Sequence, residues 1–471
     1  MIFCRLTLFV VCLYFVCSRL RDKITELLYN FKDRFALSYG LKLYNHGGVM
    51  KNTAAKGTQD ILPEISSAWE HIEDKFREIC QLYGYEEIRT PTFEHTEVFA
   101  RGVGETSDVV QKEMYTFEDK GNRSITLRPE GTAGIVRSFI ENGMNSLAFP
   151  VRLFYEITAF RYENVQKGRY REFHQLGVEA FGAEGPFIDA EMLAMLQHFF
   201  KALGLKQINL EINSLGTPES RAVYRETLLG YLRPHKNELC EDCQARMEEN
   251  PLRVLDCKND HCHEITKSAP LILDYLDEES EAHFNKLQEL LDNLGVEYKV
   301  NPKIVRGLDY YSKTVFEFIS ENVGTQGTIC GGGRYDGLIK LMGGQDTPGI
   351  GFALGEERLL LELEAQGVLR NDRPVADVFI ASLDDEALEA AQKLSQELRY
   401  LGIRAQYELT GRSLKAQMKY AGKQGAKNLI VLGGDELSEG KAAVRSLVEK
   451  DKAEHEFDLD HVEVLADYLK N

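Results

Sequence analysis

The chain has 471 residues, 43% of them hydrophobic and 28% charged, with 39 glycines and 12 prolines; this profile excludes low-complexity, collagen-like and disordered classes and allows about three domains. Lysine and arginine number 56 against 74 aspartates and glutamates, a formal net charge of −18, which excludes unselective coating of nucleic acid or anionic membrane but leaves room for a local basic groove. Of nine cysteines, Cys80 and Cys330 are isolated and four cluster between 240 and 262, which fits a reducing compartment rather than a disulfide framework.

Leu6 to Ser18 is an apolar run behind Arg5 with the length of a signal-peptide core, short for a membrane span. No small-x-small cleavage site follows promptly, and Arg19, Arg21 and Lys23 come next. Gly47-Gly48-Val49 directly before Met50 reads as an in-frame ribosome-binding sequence. The expectation is therefore a start at Met50, with residues 1–49 a translated leader; a secreted or tethered form is the alternative. From residue 50 onward no stretch is long and apolar enough to span a bilayer, and the expected location is cytoplasmic.

Ile65, Ala68, Trp69, Ile72, Phe76, Ile79 and Tyr83 recur at helical spacing after Pro63, and Gly84 ends the pattern. Tyr85 to Thr90 reads as a strand stopped at Pro91. Further strands are expected at 124–128, 151–162, 172–181, 208–213, 314–320 and 348–354. Mostly short connections predict a largely antiparallel sheet in an α+β fold. From about 217 to 300 the sequence turns charged, cysteine-containing and mainly helical, as an insertion would. After Pro374 come a strand at 375–381, a helix marked by Leu388, Ala391, Leu394 and Leu398, and strands near 403–408 and 428–433 with a helix between. That alternation predicts a separate α/β domain with a partly parallel sheet. The expected domains are 50–374, carrying the insertion, and 375–471.

A phosphate loop ending Gly-Lys-Ser/Thr is absent, and Gly349 to Gly355 misses the dinucleotide spacing by one residue. A bound nucleotide would then be held by side chains on the antiparallel sheet. Strand parity puts Gln175, Gly177 and Glu179 on one face and His174, Leu176 and Val178 on the other. Glu179 can pair with an ammonium, Gln175 can donate or accept, and Gly177 leaves room for a substrate; a solvated strand face is the blander alternative. Hairpin geometry brings Arg161 near this floor, where a guanidinium suits a phosphate or carboxylate. Lys167, Arg169 and Arg171 on the loop 164–171 suit a polyanion backbone or, equally, a solvated tip.

Phe160-Arg161-Tyr162-Glu163 with its basic loop resembles the second signature of class II aminoacyl-tRNA synthetases, Tyr85 to Pro91 the first, and Gly349 to Arg358 the third. Leu127 to Thr132, His174 to Glu179, Arg306 to Tyr311 and Gly331 to Asp336 resemble the histidine-specific family of that class. The resemblance covers essentially Lys56 to the carboxyl terminus. It implies an antiparallel class II sheet flanked by helices, a helical insertion and a C-terminal α/β anticodon-binding domain. It further implies ATP-dependent activation of L-histidine to histidyl-adenylate and transfer to the terminal ribose of tRNA(His), in a homodimer. A non-charging regulatory subunit of histidine biosynthesis with the same catalytic fold is the alternative.

Carried over by position, the resemblance implies that Glu130, Thr132, Gln175 and Glu179 hold the histidine ammonium, with Gly131 in the same motif, and that Tyr310, Tyr311 and Tyr335 enclose the imidazole. It places Arg161 and Arg306 on the α-phosphate, Arg358 beneath the ATP and Mg2+ on the β and γ phosphates, and reads Gly349, Gly351 and Gly355 as close-approach positions beside the nucleotide. Lys167, Arg169 and Arg171 become tRNA-binding candidates. Cys240 and Cys243 followed by Cys257 and Cys262 resemble a four-thiolate zinc site, with His261 and His263 as possible substitutes; free thiols are the alternative, since the second pair is spaced by four residues rather than two.

Overall fold

A computed structural model describes residues 53–470 apart from 105, 106, 108, 258, 307–309, 323–326, 372–375, 450 and 452. The expectations for residues 1–49, for Pro374 and for Gly307, Leu308 and Asp309 lie outside the described residues. The chain divides into Met1–Ala55 and Lys56–Asn471, and the elements below belong to the second unit.

Among the described residues eleven strands precede the tail: β1 (Glu86–Glu87), β2 (Phe93–His95), β3 (Thr116–Glu118), β4 (Ser124–Leu127), β5 (Val151–Phe160), β6 (Glu172–Phe181), β7 (Asn209–Ser214), β8 (Lys299–Val300), β9 (Ser312–Ile319), β10 (Thr328–Arg334) and β11 (Gly349–Gly355). Eight form one sheet in the order β1-β5-β6-β11-β10-β9-β7-β8, while β2, β4 and β3 form a small antiparallel one. The large sheet is antiparallel except at its two edges, where β1 runs parallel to β5 and β8 parallel to β7. The expected strand at 85–90 shrinks to two residues at that edge. β10 is absent from the expected set because its Cys330-Gly331-Gly332-Gly333 core lacks the β-branched and aromatic residues that mark strands. It lies between β9 and β11, paired with β11 over Cys330–Arg334 and with β9 across two register shifts.

Strand parity decides what each face packs against. Phe154 on β5 and Leu176, Val178 and Ala180 on β6 join a core with Trp69, Ile72 and Phe76 of the helix Pro63–Leu82 and with the helices Pro186–Ala202, Glu278–Leu294 and Glu356–Ala365. Phe76 meets Phe154, Phe199 and Phe352 edge to face, geometry that suits aromatic quadrupoles. Leu153, Tyr155 and Ile157, one residue out of phase, join a second core with the helices Thr132–Glu141 and Pro218–Leu232 and with the insertion. Gln175, Gly177 and Glu179 share that second side. Residues 218–294 are largely helical, as the texture of the sequence predicts.

The tail carries β12 (Val378–Ser382), β13 (Ala405–Tyr407), β14 (Asn428–Leu432), β15 (Lys441–Ser446) and β16 (His455–Asp458) in the order β13-β12-β14-β15-β16. β12 runs parallel to β13 and β14, and the two strands not anticipated from sequence, β15 and β16, extend the sheet antiparallel. No helix among the described residues is long and apolar enough to cross a membrane.

Candidate active site

A cavity of about 230 Å³ opens over β6, β10 and β11. Its lining brings together Glu130, Thr132, Arg161, Gln175, Arg306, Tyr310, Tyr311, Tyr335, Gly351 and Arg358, residues drawn from across the chain.

One end is built on a helix start. Thr132 opens the helix Thr132–Glu141, whose first amides have no acceptor within the helix. The Glu130 carboxylate supplies it, accepting the Thr132 N–H at 2.8 Å and the Ala133 N–H at 2.9 Å. Burial raises the Glu130 pKa, and those two amides work against the rise. Glu179 is fully buried and does not line the cavity itself. It sits behind hydroxyls, accepting from Thr132 Oγ1 at 2.7 Å, from the Tyr335 hydroxyl and from the Tyr155 hydroxyl at 3.4 Å. Burial pushes its pKa up to about 8, the Tyr335 and Thr132 hydroxyls pull it back, and Glu130 pushes it further up. At neutral pH the carboxyl therefore holds its proton in most molecules. Gln175 stands in the wall, and its Oε1 is buried without a hydrogen-bond partner among the described residues.

The expected room above Gly177 is not open. The β5–β6 register sets Tyr155 opposite Gly177, and a Cβ there would lie 2.2 Å from Tyr155 Cζ. A Cβ on Gly131 would lie 2.4 Å from Tyr155 Cε2. Both glycines thus admit the Tyr155 ring, which the sequence reading did not single out, and the substrate space is displaced toward Thr132 and Gln175. Gly349 and Gly351 are crowded in a similar way. A Cβ on Gly349 would meet Tyr335 Cε2 at 2.4 Å, and one on Gly351 would overlap the Glu179 carboxylate. Both seat side chains of the buried floor; Gly351 also lines the cavity, whereas Gly349 does not. Gly355 does line it and has open space around it.

Aromatic rings close one wall. Tyr310 and Tyr311 lie with centroids 4.6 Å apart, and Tyr310 meets Tyr335 edge to face at 5.6 Å. Burial drives the pKa of all three upward, so each phenol keeps its proton and can donate or accept.

Three guanidiniums line the rest. Arg161 follows β5, donates from Nε to the Pro129 carbonyl at 2.8 Å and lies 5.3 Å from the centre of the Phe173 ring. Arg306 pairs with Glu317 at 2.5 Å, and its Nε has no partner among the described residues. Arg358 lies in the first turn of the helix Glu356–Ala365 after β11 and donates to the Thr328 carbonyl at 2.7 Å; burial and the nearby Arg169 lower its pKa. Glu317 escaped the sequence reading, which took Gly331 only as part of a motif. A Cβ on Gly331 would reach within 2.4 Å of Arg306 Nη1, so this glycine is what admits the arginine.

The basic loop divides. Lys167 is exposed. Arg169 lines the cavity and pairs with Glu163 at 2.9 Å, while Arg171 stacks on Tyr162 at 3.7 Å and donates to the Glu163 carbonyl. In the insertion, the sulfurs of Cys240, Cys243, Cys257 and Cys262 lie within 4.8 Å of one another. His261 and His263 are exposed and outside the group, which removes them as substitutes.

Comparison with known proteins bears on the whole chain. The family model described as histidyl-tRNA synthetase matches residues 57–226 and 237–359, and one described as an anticodon binding domain matches 377–467. A histidine–tRNA ligase of Acetivibrio thermocellus is 57% identical over 398 residues, 84% of this chain and 95% of the relative. One of Caldicellulosiruptor saccharolyticus is 51% identical over 422 residues, 90% of this chain and all of the relative. The crystal structure of apo S. aureus histidyl-tRNA synthetase superposes with a TM-score of 0.75 at 43% identity, covering 89% of this chain and 100% of that one. A Bacillus halodurans structure described as an ATP phosphoribosyltransferase regulatory subunit/histidyl-tRNA synthetase has a TM-score of 0.59 at 24% identity, a likeness of fold alone.

Proposed function

The chain belongs to the histidyl-tRNA synthetase family, and from that premise we propose how its cavity divides between the substrates of histidine activation. The reaction is attack of the histidine carboxylate on the α-phosphorus of ATP, giving histidyl-adenylate and pyrophosphate. The histidyl group then passes to the 3′-terminal ribose of tRNA(His). No protein nucleophile takes part, so the protein acts by orientation and by stabilising charge on the phosphoryl group.

The observation that carries the assignment is the unpartnered buried Oε1 of Gln175, in the cavity that Thr132 also lines and on the strand face shared with the buried Glu179. An ammonium fits this acceptor set: Gln175 Oε1 and Thr132 Oγ1 accept its N–H groups, and Glu130, together with Glu179 once it has given up its proton, supplies the negative charge that a buried cation requires. Tyr310, Tyr311 and Tyr335 then take the imidazole, since a phenol wall satisfies its ring nitrogens and penalises apolar analogues. Arg161 and Arg306 hold the α-phosphate from opposite sides, with Arg358 under the nucleotide. ATP enters with Mg2+, and Glu163 and Glu357 in the cavity wall fit the hard oxygen donors that this ion takes.

We further assign 375–471 to the anticodon arm of the tRNA, Lys167 to its phosphate backbone, and the working unit to a cytoplasmic homodimer. The small sheet β2-β4-β3 exposes Phe93 and Phe117, apolar surface that a second copy would cover. ATP–pyrophosphate exchange tests the central reading. Exchange should require histidine among the amino acids, and folded protein that exchanges with none would move the assignment to the regulatory-subunit alternative.

A further inference from the structure

The insertion contains three very short helices that the cavity does not use. Cys240 precedes the six-residue helix Glu241–Arg246, which holds Cys243. Cys257 follows the four-residue helix Leu252–Leu255, and Cys262 lies in the seven-residue helix Asp260–Thr266. Helices of this length do not hold their shape in water unaided. The side chain of Asn259 caps the last one, accepting from the His261 and Cys262 amides, and the turn it starts swings Cys262 back to the other three sulfurs. That fold accounts for the four-residue spacing of the second pair.

The separation of the Cys240 and Cys257 sulfurs matches a metal site and not a disulfide. Cys240 and Cys257 Sγ are 3.7 Å apart, far beyond an S–S bond of about 2.05 Å. Four sulfurs placed tetrahedrally at about 2.3 Å from one ion would be about 3.75 Å apart. N–H donors also point at the sulfurs: the Cys240 amide to Cys262 at 3.2 Å, the Asn259 amide to Cys257 at 3.5 Å and the Arg246 guanidinium to Cys243 at 3.6 Å. A neutral thiol is a weak acceptor, whereas thiolate ligands take such outer hydrogen bonds. Among the described residues no other group of three or more cysteine, histidine, aspartate or glutamate side chains converges this way.

We propose that Cys240, Cys243, Cys257 and Cys262 bind one structural zinc ion that staples the insertion. Zn2+ replaces the thiol protons, so four S–H bonds give way to four Zn–S bonds and up to four protons leave, with no change of oxidation state. Four thiolates complete the tetrahedron and leave no position for water, and none of the four cysteines lines the active-site cavity, so the ion supports the fold and takes no part in adenylation. This assignment stands independently of the division of the cavity between substrates.

Metal analysis of the full chain, expressed in zinc-supplemented medium and purified without chelator, should find one equivalent of zinc. Cys262→Ser and Cys257→Ser should each lose it while keeping histidine-dependent exchange. Because a variant can misfold, cobalt is added to the reduced, metal-stripped wild-type chain as a second measurement, and the tetrahedral bands and sulfur-to-cobalt charge transfer of a four-thiolate site are expected. Iron in place of zinc, zinc retained by either serine variant, or cobalt giving no tetrahedral spectrum or one with mixed nitrogen and sulfur ligands would overturn the assignment.

Discussion

Lowering the pH from 8 to 6 should weaken histidine binding about 50-fold through Glu179 alone. The carboxyl is fully buried, and its pKa is pushed up to about 8 mainly by that burial. Because the folded-state pKa is raised, the group is neutral below it, and the form that can balance an incoming ammonium is the ionised one. With a pKa of about 8, roughly half of the molecules are ionised at pH 8, about 9% at pH 7 and about 1% at pH 6. Affinity that tracks the ionised fraction therefore falls about tenfold for each pH unit well below 8, and the loss runs in the acid direction. The histidine imidazole, with a pKa near 6.5, titrates over part of the same range. Equilibrium dialysis of labelled histidine across pH 6 to 8.5 should thus be run on wild type and on Glu179→Gln, which retains the imidazole contribution but has no carboxyl to ionise. The variant should bind more weakly at pH 8 and show a much flatter profile. Parallel profiles for the two proteins would refute the role of Glu179, and so would a wild-type affinity that does not change with pH.

The same raised pKa has a stability consequence. Between pH 4.5 and 8 the unfolded carboxyl is ionised while the folded one is not, so apo stability falls as pH rises through that window. Apo Glu179→Gln should gain on the order of 1 to 2 kcal/mol at pH 8, and chemical denaturation showing no gain would count against a buried neutral carboxyl. Arg306→Ala should slow adenylate formation about 10²- to 10³-fold while histidine affinity changes little, as read by single-turnover assay; an unchanged chemical step would remove Arg306 from the phosphate. Gly177→Ala should destabilise the protein by about 1 to 3 kcal/mol and raise the KM for histidine, because its Cβ displaces Tyr155 from beneath the floor. A thermal transition and KM equal to wild type would mean that the ring moves freely. Lys167→Ala should leave exchange intact, weaken tRNA binding and reduce its salt dependence by about one phosphate contact; filter binding over a salt series checks this.

Much of the site was legible because the strand period is two: once 172–181 is a strand, Gln175 and Glu179 must share a face. Tyr155 was legible in principle as well. The hairpin that pairs Phe160 with Glu172 also pairs Tyr155 with Gly177, so counting back along the register would have shown that the space was filled. The roles of Gly331, Gly349 and Gly351 were not readable, because each is set by a side chain from a different strand or a distant loop. β10 was hidden for a related reason, since the small residues that make room there for Arg306 and Tyr311 erase the local signal of a strand.

By itself the sequence determined the helix after Pro63, most strands of the central sheet, the helical insertion, the α/β tail and the family resemblance. Each of these rests on local periodicity or on motifs of a few adjacent residues. Only the tertiary structure decided that Glu179 lies behind hydroxyls and not in the open floor, that glycines serve as seats for Tyr155, Tyr335 and Arg306, and that four cysteines meet at one point. The physical reason is the same in each case. Burial and close approach depend on which distant segments pack together, and a pKa or a ligand geometry exists only once water has been excluded and those segments have met.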